Sequence, residues 1–159
     1  MQDIYVKIEG IAGESQDASH KGWIDALGFS YLVTQTSSEA FGGGLGVGRA
    51  NFNALSFTHY VDRATPALFQ YCAAGKHIPK VELSACKSGD GAKEYLLRIT
   101  LTDALIVRAG PSGSAGDGLA RETVEIVYSQ IKIEVREQQA GGAMSAAATG
   151  TWNLKENKP

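Results

Sequence analysis

The sequence predicts a mainly β fold, in which two antiparallel sheets form a barrel with one short α-helix on its flank. Three observations predict it. Most of the chain alternates apolar and polar residues, as half-buried strands do. Many of the 19 glycines cluster in segments between the alternating stretches. Helical spacing is convincing in one segment alone, residues 65–74. Such a pattern is typical of an all-β barrel or sandwich with a single docked helix.

The helix has both of its end signals. Thr65 is a good N-cap, and Pro66 fits the first helical position, where its missing N–H costs nothing. Gly75 can take the left-handed conformation that ends a helix. An apolar stripe lies between these ends and comprises Leu68, Phe69, Cys72 and Ala73. We therefore expect a short helix that covers a sheet edge or barrel mouth by one face.

Seven segments are predicted to be strands. They cover residues 3–9, 23–35, 49–61, 81–85, 93–108, 121–137 and 145–154. The sixth changes phase between Tyr128 and Ile131, which indicates a bulge near Ser129 or passage from one sheet to another. Asp103 interrupts an apolar face and is expected at a rim. Segments 36–48 and 109–119 are rich in glycine and are expected to be mobile loops, and 88–92 is expected to be a turn.

Length and composition fit one domain of a soluble protein. The chain has 159 residues, with 43% hydrophobic and 20% charged. A net charge of -2 argues against a nucleic-acid partner. No apolar run approaches a membrane span, and the start lacks the pattern of a secretory signal. Cys72 and Cys86 are expected to be reduced thiols, although a bridge between them stays open.

Catalytic and cofactor motifs lack support. Gly43 and Gly48 have P-loop spacing, but Arg49-Ala50 stands where Lys and Ser or Thr are needed. The three histidines do not have the spacing of a zinc site, and each is expected at a surface or interface. A triad of Ser56, His59 and Asp62 is disfavoured, because all three would lie along one strand and turn. We therefore expect no enzyme activity, no cofactor and no metal.

Four segments together carry a family resemblance. They are DIYVKIEGIAGES, SFTHYVDRATPALFQYCAAGKHI, ITLTDALI and WNLKEN, and they cover the chain in order. They closely resemble the haemolysin-coregulated protein (Hcp) family, the tube subunits of type VI secretion systems. The resemblance implies a phage tail-tube-like barrel, homohexameric rings that stack into a tube, and partners among sheath, spike and effector proteins. It also implies a protein that is cytoplasmic before firing and then secreted.

The resemblance assigns residues to assembly. Segment 36–48 corresponds to a loop that reaches the next ring, with expected contact residues Ser37, Glu39, Phe41, Gly44, Leu45 and Val47. The polar face of the helix, with Arg63, Gln70 and Lys76, is a candidate contact with another subunit or the sheath. A chain ending soon after WNLKEN is expected to be a plain tube subunit.

Two alternatives remain open at this point. One is the tail-tube protein of a phage or a phage-like contractile injection particle, which has the same architecture. The other is an unrelated β-barrel binding module with a ligand in its mouth. Particles with an open centre would favour a tube, and a uniform monomer would favour the binding module.

Overall fold

The computed structural model describes residues 2–40, 44–88 and 93–159, which form nine strands and one helix. Their bounds are β1 Gln2–Ile8, β2 Ile24–Ser30, β3 Val33–Ala40, β4 Gly44–Phe52, β5 Leu55–Tyr60, α1 Thr65–Ala74, β6 His77–Lys87, β7 Tyr95–Ser112, β8 Arg121–Val135 and β9 Ala148–Asn153. All strand pairings are antiparallel.

Six strands close into a barrel, which confirms the predicted fold class. Their order is β5-β2-β1-β6-β7-β8, and β8 returns to pair with β5. The strand β9 lies outside the barrel and extends the sheet beyond the second half of β8. The strands β3 and β4 form a separate two-stranded sheet between β2 and β5.

The phase change in β8 is real and marks a change of partner. Residues 121–126 pair with β5, and residues 130–135 pair with β9. Val124 and Ile126 are fully buried in the first half, and Ile131 is buried in the second. The pairing of β8 with β7 is in continuous register on both sides of Ser129, and its register shift lies instead between Ile106 and Arg108, opposite Ile126 and Glu125. Asp103 of β7 adopts a positive φ of 51°, and Ser129 donates to its carboxylate at 2.7 Å.

One continuous apolar core fills the barrel. Its fully buried members come mainly from the six barrel strands and the helix, and the largest are Ile8, Ile24, Leu55, Phe57, Leu68, Ile78, Leu83, Ile99, Leu101, Ile106 and Ile126. Interior positions of a small barrel are normally filled by side chains in this way, which leaves no internal channel. Function must therefore lie on the outer surface.

The helix has the predicted bounds but different details. Ala64, not Thr65, is the N-cap, because the Thr65 hydroxyl turns away and donates to Glu122 at 2.8 Å. Gly75 has the expected left-handed φ of 59°. The predicted stripe is wrong at two positions, since Phe69 is 65% exposed and Ala73 is exposed, while Leu68 is fully buried.

Several predicted boundaries also change. Segment 23–35 contains the whole of β2 and the start of β3, with a register shift between Ala26 and Gly28. Segment 36–48 is not a loop in its described part, because the strands β3 and β4 pair from Val33–Phe52 to Ala40–Gly44. Segment 109–119 is shorter as a loop than expected, since β7 and β8 remain paired out to Ser112 and Arg121.

Candidate assembly surface

A broad polar face is the most distinctive surface of the molecule. Five adjacent strands, β1, β6, β7, β8 and β9, place residues in cross-strand rows, and residues opposite one another share a face. The central row is Lys7, Glu82, Thr100, Lys132 and Thr151. The neighbouring apolar row, on the opposite face, is Ile8, Val81, Leu101, Ile131 and Trp152. The sheet is therefore apolar toward the barrel and polar outside.

The rows on either side of the central row have the same character. One contains Lys80, Thr102, Gln130 and Asn153, and the other contains Arg98, Glu134, Thr149 and Ser84, of which Ser84 is fully buried. We call these two rows and the central row together the polar face. Its charges pair along the strands, with Lys80 Nζ 3.0 Å from Glu82 Oε1 and Lys132 Nζ 3.4 Å from Glu134 Oε2. None of the exposed large hydrophobic side chains among the described residues belongs to it.

Two strand segments beside the polar face leave an edge open. Within the described residues, β9 pairs along its length only with β8, and residues 106–112 of β7 also pair only with β8. An open edge presents unpaired backbone N–H and C=O groups, which proteins cover or use for pairing. These edges are suited to lateral association with another chain.

The hairpin of β3 and β4 carries the residues predicted to make stacking contacts. Ser37 pairs with Val47, Glu39 with Leu45, and Ala40 with Gly44, so the sequence-predicted set is brought together on one hairpin. Phe41, the remaining member, lies outside the described residues. At the base of the hairpin, Arg49 donates to the Leu154 carbonyl at 2.8 Å, so the base is tied to the end of the chain.

The outer side of α1 presents a mixed surface. Gln70 is exposed and lies next to Phe69. Lys76 is folded back, because its ammonium donates to the Tyr71 hydroxyl at 3.1 Å and lies 4.3 Å from the centre of that ring. Arg63 is exposed at the start of the helix, and its backbone N–H donates to Glu14. The three predicted residues thus share the exposed side of the helix without contacting one another.

The histidine prediction is wrong for two of the three residues. His77 is exposed, but His20 is 5% exposed and His59 is fully buried. His20 stacks on Tyr5 with ring centres 4.2 Å apart, and its Nδ1 lies 2.8 Å from Asp17 Oδ1. The loop between β1 and β2 is held against the outside of the barrel by these contacts.

This buried group includes a cysteine. Cys86 Sγ lies 4.0 Å from His20 Nε2, so Cys86, His20 and Asp17 are arranged in the order of a nucleophile, base and orienting acid. The sulfur is fully buried, and burial raises the pKa of the Cys86 thiol to about 11. A thiolate, which is the reactive form, is therefore disfavoured. Cys72 and Cys86 are both free, as expected.

The second buried histidine belongs to another polar cluster. His59 Nε2 lies 3.0 Å from Glu122 Oε2, and its Nδ1 lies 3.7 Å from Asp62 Oδ1. Ser56 is not part of it, because it lies three positions before His59 on the strand and the two side chains therefore face opposite sides. Burial raises the pKa of Asp62. The arrangement ties β5, β8 and the start of α1 together.

Neither a metal centre nor a membrane-spanning helix is found in the part of the chain that the structure describes. No group of three or more His, Cys, Asp or Glu side chains there is placed to hold an ion. The described helix is too short to cross a bilayer.

Sequence reasoning missed the polar face and the buried histidines. A signal existed for both. The polar positions of β6, β7 and β8 alternate with the apolar ones, and His59 follows Leu55 and Phe57 at the spacing of one strand face. Only the strand register, however, shows that the polar positions form continuous rows.

The features together define a class. A filled barrel with a polar outer sheet face, open strand edges and a separate hairpin has surfaces suited to association with other copies or partners. The comparisons with known proteins agree. A family model described as "Type VI secretion system effector, Hcp" matches residues 5–135. This chain belongs to the Hcp family, the type VI secretion system tube proteins, which is a structural and not an enzyme family.

Individual relatives extend over almost the whole chain. Protein hcp1 of Pseudomonas aeruginosa is 36% identical over 157 residues, which is 98% of this chain and 96% of that protein. The crystal structure of Hcp1 from Salmonella typhimurium is 39% identical with a TM-score of 0.80, covering 99% of this chain and 97% of that one. A structure described as a type six secretion system protein reaches a TM-score of 0.93 at 28% identity, with 99% of both chains covered.

Proposed function

We propose that this chain is a tube subunit whose copies form a hexameric ring, that the rings stack into a tube, and that the polar face lines the channel. The polar face is the observation that carries the proposal. Its central row is polar across five strands and the other two rows are polar from β6 to β9, although monomer stability requires only that the opposite face be apolar. A water-filled channel through which folded cargo moves needs a wall of this kind.

The open edges of β9 and β7 support lateral contacts. Pairing with neighbouring copies would cover the backbone groups that these edges expose. In a closed ring every subunit has a neighbour on both sides, so no such edge stays uncovered. A stable ring contact is expected to bury more than about 1,000 Å² in total. Such pairing would also extend the polar face from subunit to subunit.

The hairpin of β3 and β4 is proposed as the contact between successive rings. Its described residues pair with one another and with no strand of the barrel, so the outer edges of β3 and β4 are available to a neighbour. The sheath, the spike and the effectors are proposed partners, with effectors in the channel and the exposed side of α1 available to another subunit or the sheath. In this proposal the protein is cytoplasmic before firing and leaves the cell through the secretion machine.

Negative-stain microscopy of the purified chain tests the proposal. We expect rings with an open centre, and native mass spectrometry should give six times the chain mass. The variant Thr102→Glu is the matched control, because an added carboxylate on a water-facing channel wall should leave the ring intact. A uniform monomer for the unaltered chain would contradict the proposal.

A further inference from the structure

We infer that the buried cluster of His59, Asp62 and Glu122 binds two protons in total. One is the proton of a neutral imidazole, and the second is an extra proton shared by the three groups. His59 is fully buried and Glu122 is 1% exposed. Each nitrogen of the imidazole ring faces a different carboxylate, at 3.0 Å for Glu122 and 3.7 Å for Asp62.

The hydrogen-bond roles around the cluster are fixed by its neighbours. The Thr65 hydroxyl accepts from the backbone N–H of Asp62, so its own proton is free to be donated to Glu122 Oε2 at 2.8 Å. Asp62 Oδ1 already accepts from the backbone N–H of Ala64 at 2.8 Å. Both carboxylates are therefore held in place by donors from the start of α1. Neither can turn away from the imidazole without losing a hydrogen bond.

Counting protons shows what the site requires. A neutral imidazole carries one proton. If that proton lies on Nε2 and is donated to Glu122, the lone pair of Nδ1 faces the Asp62 carboxylate across 3.7 Å with no proton between them. If it lies on Nδ1 instead, the lone pair of Nε2 faces Glu122 at 3.0 Å. One extra proton removes the conflict, whether it resides on His59, Glu122 or Asp62.

Two further observations agree with an extra proton. His59 Nδ1 and Glu122 Oε1 are buried atoms without a hydrogen-bond partner among the described residues, and orphaned buried polar atoms are costly. The other charged groups that act on the cluster are Glu14 from the loop after β1 and Asp25 from β2, and both raise the pKa of Asp62 further. Arg121, the cation at the start of β8, lies over the Tyr60 ring at 5.7 Å. The local field favours a bound proton.

The consequence is that docking of α1 is linked to proton binding. The two carboxylates face the two nitrogens of one imidazole, so the extra proton belongs to the cluster and not to a single residue. The unfolded chain releases it near the ordinary pKa of histidine, about 6.5. The folded chain holds it to higher pH. Stability contributed by the site is thus complete at lower pH and is lost as pH rises above that value.

Chemical unfolding between pH 6 and pH 8, below the range in which the Cys86 thiol of the unfolded chain ionises, tests the inference at fixed protein concentration. In a His77→Gln background, the folding equilibrium constant should fall by up to about tenfold per pH unit, as expected for one linked proton. Asp62→Asn should flatten this dependence, because it removes the carboxylate that faces His59 Nδ1, while the amide oxygen can still accept from the Ala64 N–H. Thr65→Val is the matched control. It removes two hydrogen bonds but no titratable group, so it should lower stability and keep the slope.

Two outcomes would overturn the inference. One is an equal slope in the Asp62→Asn variant and its parent. The other is an NMR proton count at pH 7.5. The imidazole nitrogen shifts of His59 and the carboxyl carbon shifts of Asp62 and Glu122 would then show one proton on the three groups instead of two. The NMR count also decides the question if Asp62→Asn does not fold.

Discussion

At the scale of single residues, His59 shows what a strand pattern can and cannot reveal. Its position in β5 follows the buried side chains of Leu55 and Phe57, so its inward direction could be predicted from the spacing. Its partner Glu122 could not, because the two are 63 residues apart and meet only when β5 pairs with β8. His20 and Cys86 meet for the same reason, across the register of β1 and β6.

Asp103 gives a prediction on acid stability at this scale. The Lys155 ammonium, then the Ser129 hydroxyl and His77, hold the pKa of this carboxyl well below its usual range. A depressed pKa means that Asp103 stabilises the fold above the ordinary value of about 3.9, and that this contribution is lost as pH falls. Asp103→Asn keeps a residue that tolerates the positive φ and removes the charge. Its unfolding midpoint should therefore depend less on pH between 5 and 3 than that of the unaltered chain.

The control for Asp103 is Asp117→Asn, which alters an aspartate in the exposed loop before β8. It should show the pH dependence of the unaltered chain. Equal curves for Asp103→Asn and Asp117→Asn would show that the Lys155, Ser129 and His77 contacts do not stabilise the fold.

At the scale of elements, α1 could be predicted well in extent and less well in orientation. Pro66 and Gly75 mark its ends because their backbone preferences are local. The buried face is set by the barrel. Ala64 and Leu68 are fully buried and Tyr71 and Cys72 are half-buried, while Phe69 is left outside. Segment 36–48 is predicted to be a loop because glycine has a low strand preference. In the structure, antiparallel pairing between β3 and β4 overrides that preference.

Two alanine variants of α1 test its orientation. Leu68→Ala should lower the free energy of unfolding by about 2–5 kcal/mol, because it leaves a cavity in the fully packed core. Phe69→Ala should change it by no more than about 0.5 kcal/mol in the isolated subunit, since that ring is in contact mainly with water. Urea denaturation measures both values. A larger loss for Phe69→Ala than for Leu68→Ala would contradict the described packing.

The hairpin of β3 and β4 gives the second prediction at this scale. Replacing residues 37–47 with a short turn should leave the barrel folded and rings intact but stop rings from stacking, because the deleted part pairs only within the hairpin. Electron microscopy with the sheath and baseplate present distinguishes rings from tubes. Tubes of normal length after this deletion would show that another surface makes the stacking contact.

At the scale of the whole molecule, the fold class was accessible from alternation alone, and closure of the barrel was not. Closure depends on β8, which pairs with β5 in its first half and with β9 in its second. The phase change after Tyr128 indicates that β8 changes partner, but it does not indicate which strands are the partners. The polar face arises from the same register. A ring built from such subunits would present the polar face either to the channel or to the outside. The proposed tube requires the polar face to line the channel.

Labelling with a gold cluster tests that orientation most directly. A maleimide–gold reagent would be attached at Thr102→Cys on the polar face and, separately, at Gln70→Cys on α1, both in a Cys72→Ser background that leaves only the buried Cys86 thiol. Electron microscopy of the rings should place the Thr102 label inside the central channel and the Gln70 label at larger radius. A Thr102 label on the outer rim would contradict the account.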